Sequence, residues 1–378
     1  MSNTGYFLEI EKCLGEKNES SYIVKLKPEV DKSVHLGQLR QRLGQNSSIT
    51  HEYDSGFLNA YAGKFNEEIL NHLRASTDVE SISEDPIVRA FQQQYNAPWG
   101  LQRISQRAPL TNQNAFDVNF TYTYDASAGS GIDIYVLDTG VLTSHTEFFG
   151  RAKWGWTAPG LPSQDDNGHG TGVAAVALGT YYGVAKGANL IAVKVLDFAG
   201  TGSTSNIISG MEYVWNTARA SGRPSIANMS LGGPGNTSED SAVLSLAQAG
   251  IHVVAAAGNS NVDAGNISPA RSDYCTTVGA STIQDRKWGD SNYGAVLDVF
   301  APGENILTAS KDSTTETQWA NGTSFAAPHV SGIIACFISS LGNKSPADMT
   351  VFVRDVAVQN VLSGVPLGTP NLLENNGQ

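Results

Sequence analysis

The sequence predicts an α/β fold with a mostly parallel central sheet, preceded by a small α+β domain. From residue 99 onwards, short apolar runs alternate with helical patterns, which favours a parallel sheet covered by helices on both faces. Residues 21–91 instead follow the βαββαβ order of a ferredoxin-like unit. Between the two regions, residues 92–98 are polar and end in an X-Pro step, so they are predicted to be an extended linker and processing region.

The N-terminal region is predicted to divide into a leader and the small domain. Residues 1–20 are polar and charged, which predicts a disordered leader. From Ser21 onwards, polar and apolar residues alternate as in a half-buried strand. The elements predicted for the domain are a strand at 21–27, a helix at 32–43, a strand at 57–65, a helix at 66–75 and a last strand at 79–88.

The larger region, residues 99–378, is predicted to form the main domain. Its last helix follows from an apolar pattern that includes Val330, Ile334 and Phe337. The strands are predicted at 132–137, 190–195, 226–230, 251–256, 277–280 and 296–300, and the helices at 170–177, 205–217, 238–249 and 324–341.

Composition limits the classes of function. The 378 residues carry a formal net charge of −12 and no basic run, so no nucleic-acid partner is expected. Nothing approaches a run of about 18 apolar residues, so no membrane partner is expected, and the chain is expected to act as a monomer. The cysteines Cys13, Cys275 and Cys336 give no disulfide framework, and Cys336 is expected to be a buried thiol in an apolar helix.

The first candidate for chemistry is a serine that follows a glycine turn. Gly322 frees the backbone for a sharp turn, and Ser324 comes two residues later, at the start of the last predicted helix. The unpaired N–H groups and the positive dipole end of that helix favour an oxygen that becomes negative during reaction. Taken alone, Ser324 is equally compatible with an N-cap on a core helix.

Two upstream stretches supply the base and the orienting carboxylate that a nucleophilic serine needs. A buried strand ends at Asp138 before a glycine turn, and His169 begins a helix of small residues. Each alone has a structural interpretation, Asp138 as a strand-end cap and His169 as a surface histidine, and Asp166 is interpreted as a turn residue. Together, Asp138, His169 and Ser324 follow the chain order of the subtilisin triad.

On these motifs the chain resembles the subtilisin-like serine proteases (peptidase S8), and in particular their proteinase K-like branch. The stretches AYAGKF and VESISEDPIV resemble an inhibitor I9-type propeptide at 21–91, and APWGLQRIS resembles the start of a mature enzyme. The resemblance implies a subtilisin-like three-layer fold over residues 99–378. It also implies a serine endopeptidase that acts on protein and peptide substrates through an acyl-enzyme, with the propeptide as its intramolecular inhibitor and no cofactor for catalysis. The alternative is an inactive pseudoprotease or a binding protein on the same fold.

The resemblance also implies substrate-binding residues. Asn259, after a buried strand, matches the donor that binds the oxyanion, with the backbone N–H of Ser324 as the second donor. A peptide would be added as a strand between two edge segments, and small uncharged residues would line the first pocket, which favours an apolar or aromatic side chain over lysine or arginine. Thr204 stands where close relatives often carry an aromatic lid over a more remote pocket. The residues implied for the edges and the first pocket are Gly200, Gly202, Ser230, Leu231, Gly232, Ala256, Ala257 and Gly258.

A structural calcium ion and two departures from the family pattern complete the site predictions. Asp298, with the backbone carbonyls of Asp273 and Cys275, matches a calcium position, although a single carboxylate is a thin signal for an ion that takes about 6–8 oxygens. Gly172 replaces the usual histidine of His-Gly-Thr-His, at a cost of ~1 kcal/mol against alanine in a helix. Phe325 replaces the commoner methionine.

The last predictions concern maturation and compartment. The chain is predicted to be a zymogen that cuts itself within residues 91–98, with the new N-terminus near Asn96 or Ala97. The resemblance implies an extracellular enzyme, whereas residues 1–20 lack the apolar core of a signal peptide. A vacuolar or intracellular enzyme is therefore the alternative.

Overall fold

The computed structural model describes residues 7–13, 17–88 and 91–378. It divides the chain into two compact units, Met1–Arg89 and Ala90–Gln378.

The first unit is a five-stranded sheet with two helices. The sheet order over the described residues is β1-β5-β2-β4-β3, with β1 parallel to β5 and the other pairs antiparallel. Asp31 caps α1 by accepting from the backbone N–H of Ser33, and Asn66 caps α2 by accepting from that of Ile69. The elements are β1 Ile10–Glu11, β2 Lys17–Leu26, α1 Lys32–Arg40, β3 Ser48–Glu52, β4 Ala60–Lys64, α2 Glu67–Arg74 and β5 Val79–Pro86.

The predicted βαββαβ order is present from β2 to β5, although β3 was not among the strands placed from the sequence, and the predicted leader is wrong where the structure describes it. Residues Ile10–Glu11 form β1, and β2 begins at Lys17 rather than at Ser21. The start of β2 is fixed by polar contacts, since Lys17 pairs with Glu84 and Asn18 donates to Asp85 at 3.0 Å. Its exposed side chains carry no apolar alternation, which is why the pattern missed it. The remaining leader residues, 1–6 and 14–16, lie outside the described residues.

The second unit contains the predicted parallel sheet. Its elements are β6 Phe91–Ala97, α3 Trp99–Arg103, β7 Phe120–Asp125, β8 Asp133–Asp138, β9 Ala152–Thr157, α4 His169–Leu178, β10 Asn189–Lys194, α5 Thr204–Ser221, β11 Ser225–Met229, β12 Gly233–Pro234, α6 Thr237–Gln248, β13 His252–Ala256, β14 Ile267–Ser268, β15 Thr276–Ser281, β16 Val299–Pro302, β17 Ile306–Ala309, β18 Thr317–Ala320, α7 Thr323–Leu341, α8 Pro346–Val356, β19 Val358–Gln359 and β20 Leu372–Leu373, with short 3₁₀ turns at Thr146–Phe148 and Ala264–Asn266.

The main sheet has nine strands over the described residues, in the order β19-β20-β16-β15-β13-β11-β8-β10-β9. Its pairs are parallel except β19 with β20. Strand β8 shows why both faces are covered: Ile134 and Val136 pack in the apolar cluster that contains α4 and α7, whereas Tyr135 and Leu137 pack in the cluster that contains α5 and α6. The result is the predicted three-layer arrangement of helix, sheet and helix.

The six predicted strands and four predicted helices of this unit are all present, each displaced by at most a few residues. The sequence patterns missed β9 and α8. The segment predicted as an extended linker is extended in the structure, and Phe91–Ala97 belongs to the second unit. It forms β6, paired antiparallel with β7, and Ala97 is fully buried.

Helix α7 is the core helix of the second unit. Among the described residues, it is the helix whose length and composition would suffice to cross a membrane, but 83% of its apolar window is buried inside the structure. Cys336 on this helix is buried, as predicted, and burial raises the pKa of its thiol to about 12.

Candidate active site

Three backbone elements bring the predicted triad residues to one end of the sheet. Asp138 is the last residue of β8, His169 is the first residue of α4, and Ser324 is the second residue of α7. Parallel strands end at the same edge of a sheet, so a helix that begins beside that edge presents its first residues to it. The left-handed turns at Gly168 and Gly322, with φ of 107° and 137°, allow these two abrupt helix starts.

The base and its carboxylate are directly paired. His169 Nδ1 lies 2.8 Å from Asp138 Oδ1 and 2.9 Å from Oδ2, and Asp138 is fully buried. Because an ionised carboxylate only accepts hydrogen bonds, Nδ1 carries the proton and Nε2 is left as the free base. Burial lowers the pKa of His169, but the charge and hydrogen bond of Asp138 and the charge of Asp165 outweigh it and raise the pKa above its usual value.

The serine hydroxyl is held at the mouth of a cleft beside the histidine. Ser324 Oγ donates to the carbonyl oxygen of Ser230 at 3.2 Å, and Ser230 Oγ donates to the carbonyl oxygen of Ser324 at 2.7 Å. Asn228 on β11 connects this pair to the helix, since it donates to Ser230 Oγ and accepts from Ser331 Oγ on α7. Ser324 and His169 both line a cavity of about 560 Å³.

Two hydrogen-bond donors converge next to Ser324. Asn259 Oδ1 accepts from the backbone N–H and the hydroxyl of Thr323, at 2.9 and 2.8 Å, which leaves its Nδ2 group directed away from that contact. A Cβ at Gly322 would lie 3.1 Å from Asn259 Nδ2 and 3.6 Å from the backbone nitrogen of Ser324. Both nitrogens therefore lie close to Gly322 at the start of α7, and their role as oxyanion donors stays a prediction.

A partly buried polar network around Asp165, in the loop before His169, was not predicted from the sequence. Asp165 accepts from the hydroxyl of Thr139 at 2.9 Å, from the backbone N–H of Gly168 at 2.8 Å and from the backbone N–H of Thr171 at 3.0 Å. It thereby fixes the loop that ends in His169. Asp166 pairs instead with the buried Lys194 at 2.7 Å, so its interpretation as a loop residue rather than the orienting carboxylate agrees with the structure. The sequence shows two adjacent aspartates, Asp165 and Asp166, before His169. The pattern alone does not tell which of them caps the loop and which pairs with Lys194.

The cleft brings together five of the eight residues predicted for the substrate edges and the first pocket. Gly200, Gly202, Ser230, Leu231 and Gly232 line the cavity with His169 and Ser324. The other three do not line this cavity: Ala256 is the last residue of β13, and Ala257 and Gly258 follow it on the loop that carries Asn259. Ala257 is fully buried, and the backbone N–H of Gly258 donates to Thr323 Oγ1 at 3.0 Å.

The two departures from the family pattern near the triad lie against each other. A Cβ at Gly172 would lie 3.1 Å from Thr308 Cγ2 and 3.2 Å from Phe325 Cε1. The Phe325 ring contacts His169 edge to face, with centroids 5.5 Å apart. A side chain at position 172 would thus be in tight contact with Phe325 and Thr308, which would have to shift by a few tenths of an ångström to admit it.

The predicted calcium ligands do not form a metal cluster. Within 7–13, 17–88 and 91–378, no three His, Cys, Asp or Glu side chains come together as a metal site. Asp298 accepts from the backbone N–H of Thr277 at 2.8 Å and lies 3.6 Å from Arg354. Burial raises its pKa to about 6, and the Thr277 N–H and Arg354 offset this only in part. The carboxylate is therefore suited to a further cation, but the donor set is small for calcium, which stays a prediction.

Comparison with known proteins gives a family to both units. Residues 129–377 match the model of the subtilase family (peptidase S8), and residues 21–91 match that of the peptidase inhibitor I9 family. The chain is 42% identical over 364 residues to proteinase R of Parengyodontium album, covering 96% of this chain and 90% of the relative. A subtilisin-like protease of Coccidioides posadasii is 41% identical over 354 residues, covering 87% of this chain and 70% of the relative.

The solved structures agree with this result. The crystal structure of a cold adapted subtilisin-like serine proteinase matches with a TM-score of 0.68 and 40% identity, covering 74% of this chain and 98% of that one. The inhibitor I9 match implies an intramolecular inhibitor, and the protease match implies peptide substrates. The chain belongs to the subtilase family: it is a proteinase K-like serine endopeptidase preceded by an inhibitor I9 domain.

Proposed function

We propose that this chain hydrolyses peptide bonds through an acyl-enzyme formed on Ser324, with His169 as the general base and Asp138 as its orienting carboxylate. The observation that carries the proposal is the pair of contacts from His169 Nδ1 to Asp138, at 2.8 and 2.9 Å, beside a cleft that Ser324 shares. A serine hydroxyl at its free pKa is a weak nucleophile, and this geometry supplies the base that it needs.

Each atom has a defined task in the proposed reaction. Ser324 Oγ leaves its hydrogen bond to Ser230 and attacks the scissile carbonyl carbon while His169 Nε2 takes its proton. The negative oxygen that forms is bound by Asn259 Nδ2 and the Ser324 backbone N–H. His169 then protonates the leaving amine, and a water activated by the same Nε2 releases the acid product. These steps require no cofactor.

The first pocket is proposed to accept an apolar or aromatic side chain before the scissile bond. Gly232 on the cleft edge, the buried Ala256 at the end of β13 and the buried Ala257 after it carry no charge. A lysine or arginine in this pocket would lose its hydration without gaining a carboxylate partner. Hydrolysis of peptides that differ only at this position tests the preference.

Labelling with a serine-directed phosphonate tests the proposed chemistry. We expect covalent modification at Ser324 of the activated protein, and we expect Ser324→Ala to remove both the label and nearly all peptidase activity, by on the order of 10⁶-fold in kcat. Ser241→Ala, which changes an exposed serine on α6, is the matched control. A properly folded wild-type protein that takes no label would instead identify a pseudoprotease.

A further inference from the structure

The inward face of α6 begins with a carboxylate. Its buried residues are Glu239, Val243 and Leu246, at the i, i+4 and i+7 spacing of one helix face. Val243 and Leu246 pack in an apolar cluster, whereas Glu239, only 3% exposed, lines the same cleft as His169 and Ser324. A charged residue therefore occupies a position on this stripe where the helix otherwise carries aliphatic side chains.

The ordinary structural role of such a glutamate is already filled by another residue. A glutamate at the third position of a helix commonly accepts from the backbone N–H of the N-cap residue. Here the N–H of the N-cap, Asn236, donates to Ser268 Oγ at 2.8 Å instead. Glu239 Oε1 is buried, and no hydrogen-bond partner for it occurs among the residues described.

Arg271, the cation whose charge acts on Glu239, is paired with a different carboxylate. Arg271 binds the Asp240 carboxylate through Nε at 2.8 Å and through Nη2 at 2.6 Å. Burial and the charge of Asp240 raise the pKa of Glu239 to about 7, and Arg271 offsets this only in part. An uncompensated buried carboxylate is costly, and a cation brought into contact with it removes much of that cost.

The surroundings of Glu239 suit the side chain of a long cationic residue. Leu196, Ile207 and Leu231 line the same cleft and belong to one apolar cluster, so they can cover the methylene groups of lysine or arginine. Thr204, which has a small side chain, also lines the cleft. We call this group, Glu239 with Leu196, Thr204, Ile207 and Leu231, the remote pocket.

We propose that Glu239 is a specificity-determining residue that binds a lysine or arginine side chain of the peptide substrate in the remote pocket. This inference rests on the proposed peptidase function and deepens it. Because the first pocket is uncharged, the cationic residue lies further toward the N-terminus of the substrate than the residue at the scissile bond. The preferred sequence thus combines an apolar residue at the cut with a basic residue upstream.

A set of peptides tests this proposal. Each peptide carries phenylalanine before the scissile bond, and the second, third or fourth residue before that bond is lysine, arginine, leucine or glutamate. At one of these positions we expect kcat/KM to be about tenfold higher for lysine or arginine than for leucine, the scale of a charge-assisted contact. In Glu239→Gln we expect this ratio to fall close to one.

Two further variants make the result specific. Glu239→Leu restores an aliphatic side chain to the α6 stripe, and we expect it to invert the ratio in favour of leucine. Glu212→Gln removes an exposed glutamate from the neighbouring helix α5 and should leave the ratio as in the wild type. An equal rate for basic and apolar residues at all three positions would overturn the role of Glu239 while leaving the peptidase assignment intact. Absence of any Ser324-dependent cleavage would overturn the proposed function itself.

Discussion

At the scale of single residues, the charges around His169 set the pH at which the site can work. The histidine must be neutral to accept the proton of Ser324, so activity rises as pH rises through its pKa. That pKa is raised in the fold, since Asp138 and Asp165 together outweigh the lowering effect of burial. The acid limb of the activity profile should therefore lie above the usual pKa of a histidine.

Asp165→Asn tests the part of this effect that lies outside the triad. Asparagine keeps the size of the side chain but removes one negative charge near the imidazole, so the midpoint of the acid limb of kcat/KM should move to lower pH. The midpoint does not depend on how much enzyme is folded, which separates the charge effect from a loss of loop structure. Asp290→Asn, on the surface, makes the same change in net charge and should leave the midpoint in place. An unshifted midpoint in Asp165→Asn would show that this carboxylate acts only on the loop.

The residue scale also shows which parts of the site the sequence could predict. Asp138, His169, Ser324 and Asn259 each follow a strand or begin a helix beside a glycine, and those signals are local. Glu239 and Asp165 carry no such signal, because a glutamate near a helix start and an aspartate in a loop usually have ordinary capping roles. Three-dimensional contacts are needed to show that Ser268 takes the capping role expected of Glu239, and that Asp165, which does cap its loop, also lies close enough to His169 to raise its pKa.

At the scale of elements, α7 carries a buried histidine, His329, five residues after the nucleophile. His329 is 2% exposed, and its Nδ1 donates to the carbonyl oxygen of Phe325 at 2.8 Å. Burial lowers its pKa to about 4, which that hydrogen bond offsets only in part. The unfolded chain therefore binds a proton at His329 between pH 6.5 and about 4 that the folded chain does not.

This linkage predicts that the second unit loses stability as pH falls through that window. The contribution of His329 is fully present above pH 6.5 and is lost progressively down to about 4, by at most about 3 kcal/mol. Denaturant unfolding of the Ser324→Ala protein can be followed by tryptophan fluorescence, since all 6 tryptophans lie in the second unit. We expect His329→Gln to flatten the dependence, and His51→Gln, in the first unit, to leave it unchanged. If the free energy of unfolding still falls with pH between 6.5 and about 4 in both His329→Gln and His329→Leu, the loss of stability does not come from His329.

Secondary structure was predicted best where an element has both faces buried. The strand β8 and the helix α7 carry long apolar patterns, so their positions followed from the sequence. The strand β9 was missed because its residues are half-buried and include Trp154 and Trp156 around a glycine. The strand β6 was missed because its glutamines give no apolar alternation. Its backbone hydrogen bonds are to β7, about 30 residues later in the chain, which a local pattern does not show.

At the scale of the whole molecule, a calcium ion bound at Asp298 would act by raising the free energy of unfolding. An ion that binds only the folded state stabilises it by about 2.7 kcal/mol at a concentration 100 times its Kd. If calcium binds at Asp298, a chelator should lower the melting temperature of the Ser324→Ala protein, and Asp298→Asn should remove that response. Arg354→Gln should enlarge the response, because it removes a cation that lies 3.6 Å from the same carboxylate. Identical melting curves with and without chelator, at millimolar calcium, would contradict the site.

The two units also define where maturation should occur. The structure divides the chain after Arg89, and β6 belongs to the second unit, with the carbonyl oxygen of Asn96 accepting from the Tyr181 hydroxyl and Ala97 fully buried. A cut near Asn96 or Ala97, as the sequence suggested, would separate most of β6 from the unit to which it is paired. A cut at or just before the start of β6 leaves the ladder with β7 intact.

We therefore predict that the chain processes itself within residues 88–92, beside the exposed aromatic residue Phe91, whose side chain suits an apolar first pocket. The released inhibitor I9 domain would still occupy the enzyme until it is degraded, so cleavage should precede the appearance of activity.

The experiment is to express residues 1–378 with and without Ser324→Ala and to determine the N-termini. Wild type should yield a new N-terminus in this stretch, and the variant should stay intact. Arg89→Asp and Phe91→Asp should each slow or displace the cut, whereas Gln94→Asp, inside β6, should not. Full activity in an uncut wild-type chain would contradict the zymogen, and a new N-terminus at Asn96 or Ala97 would show that the mature enzyme does not keep the β6–β7 ladder.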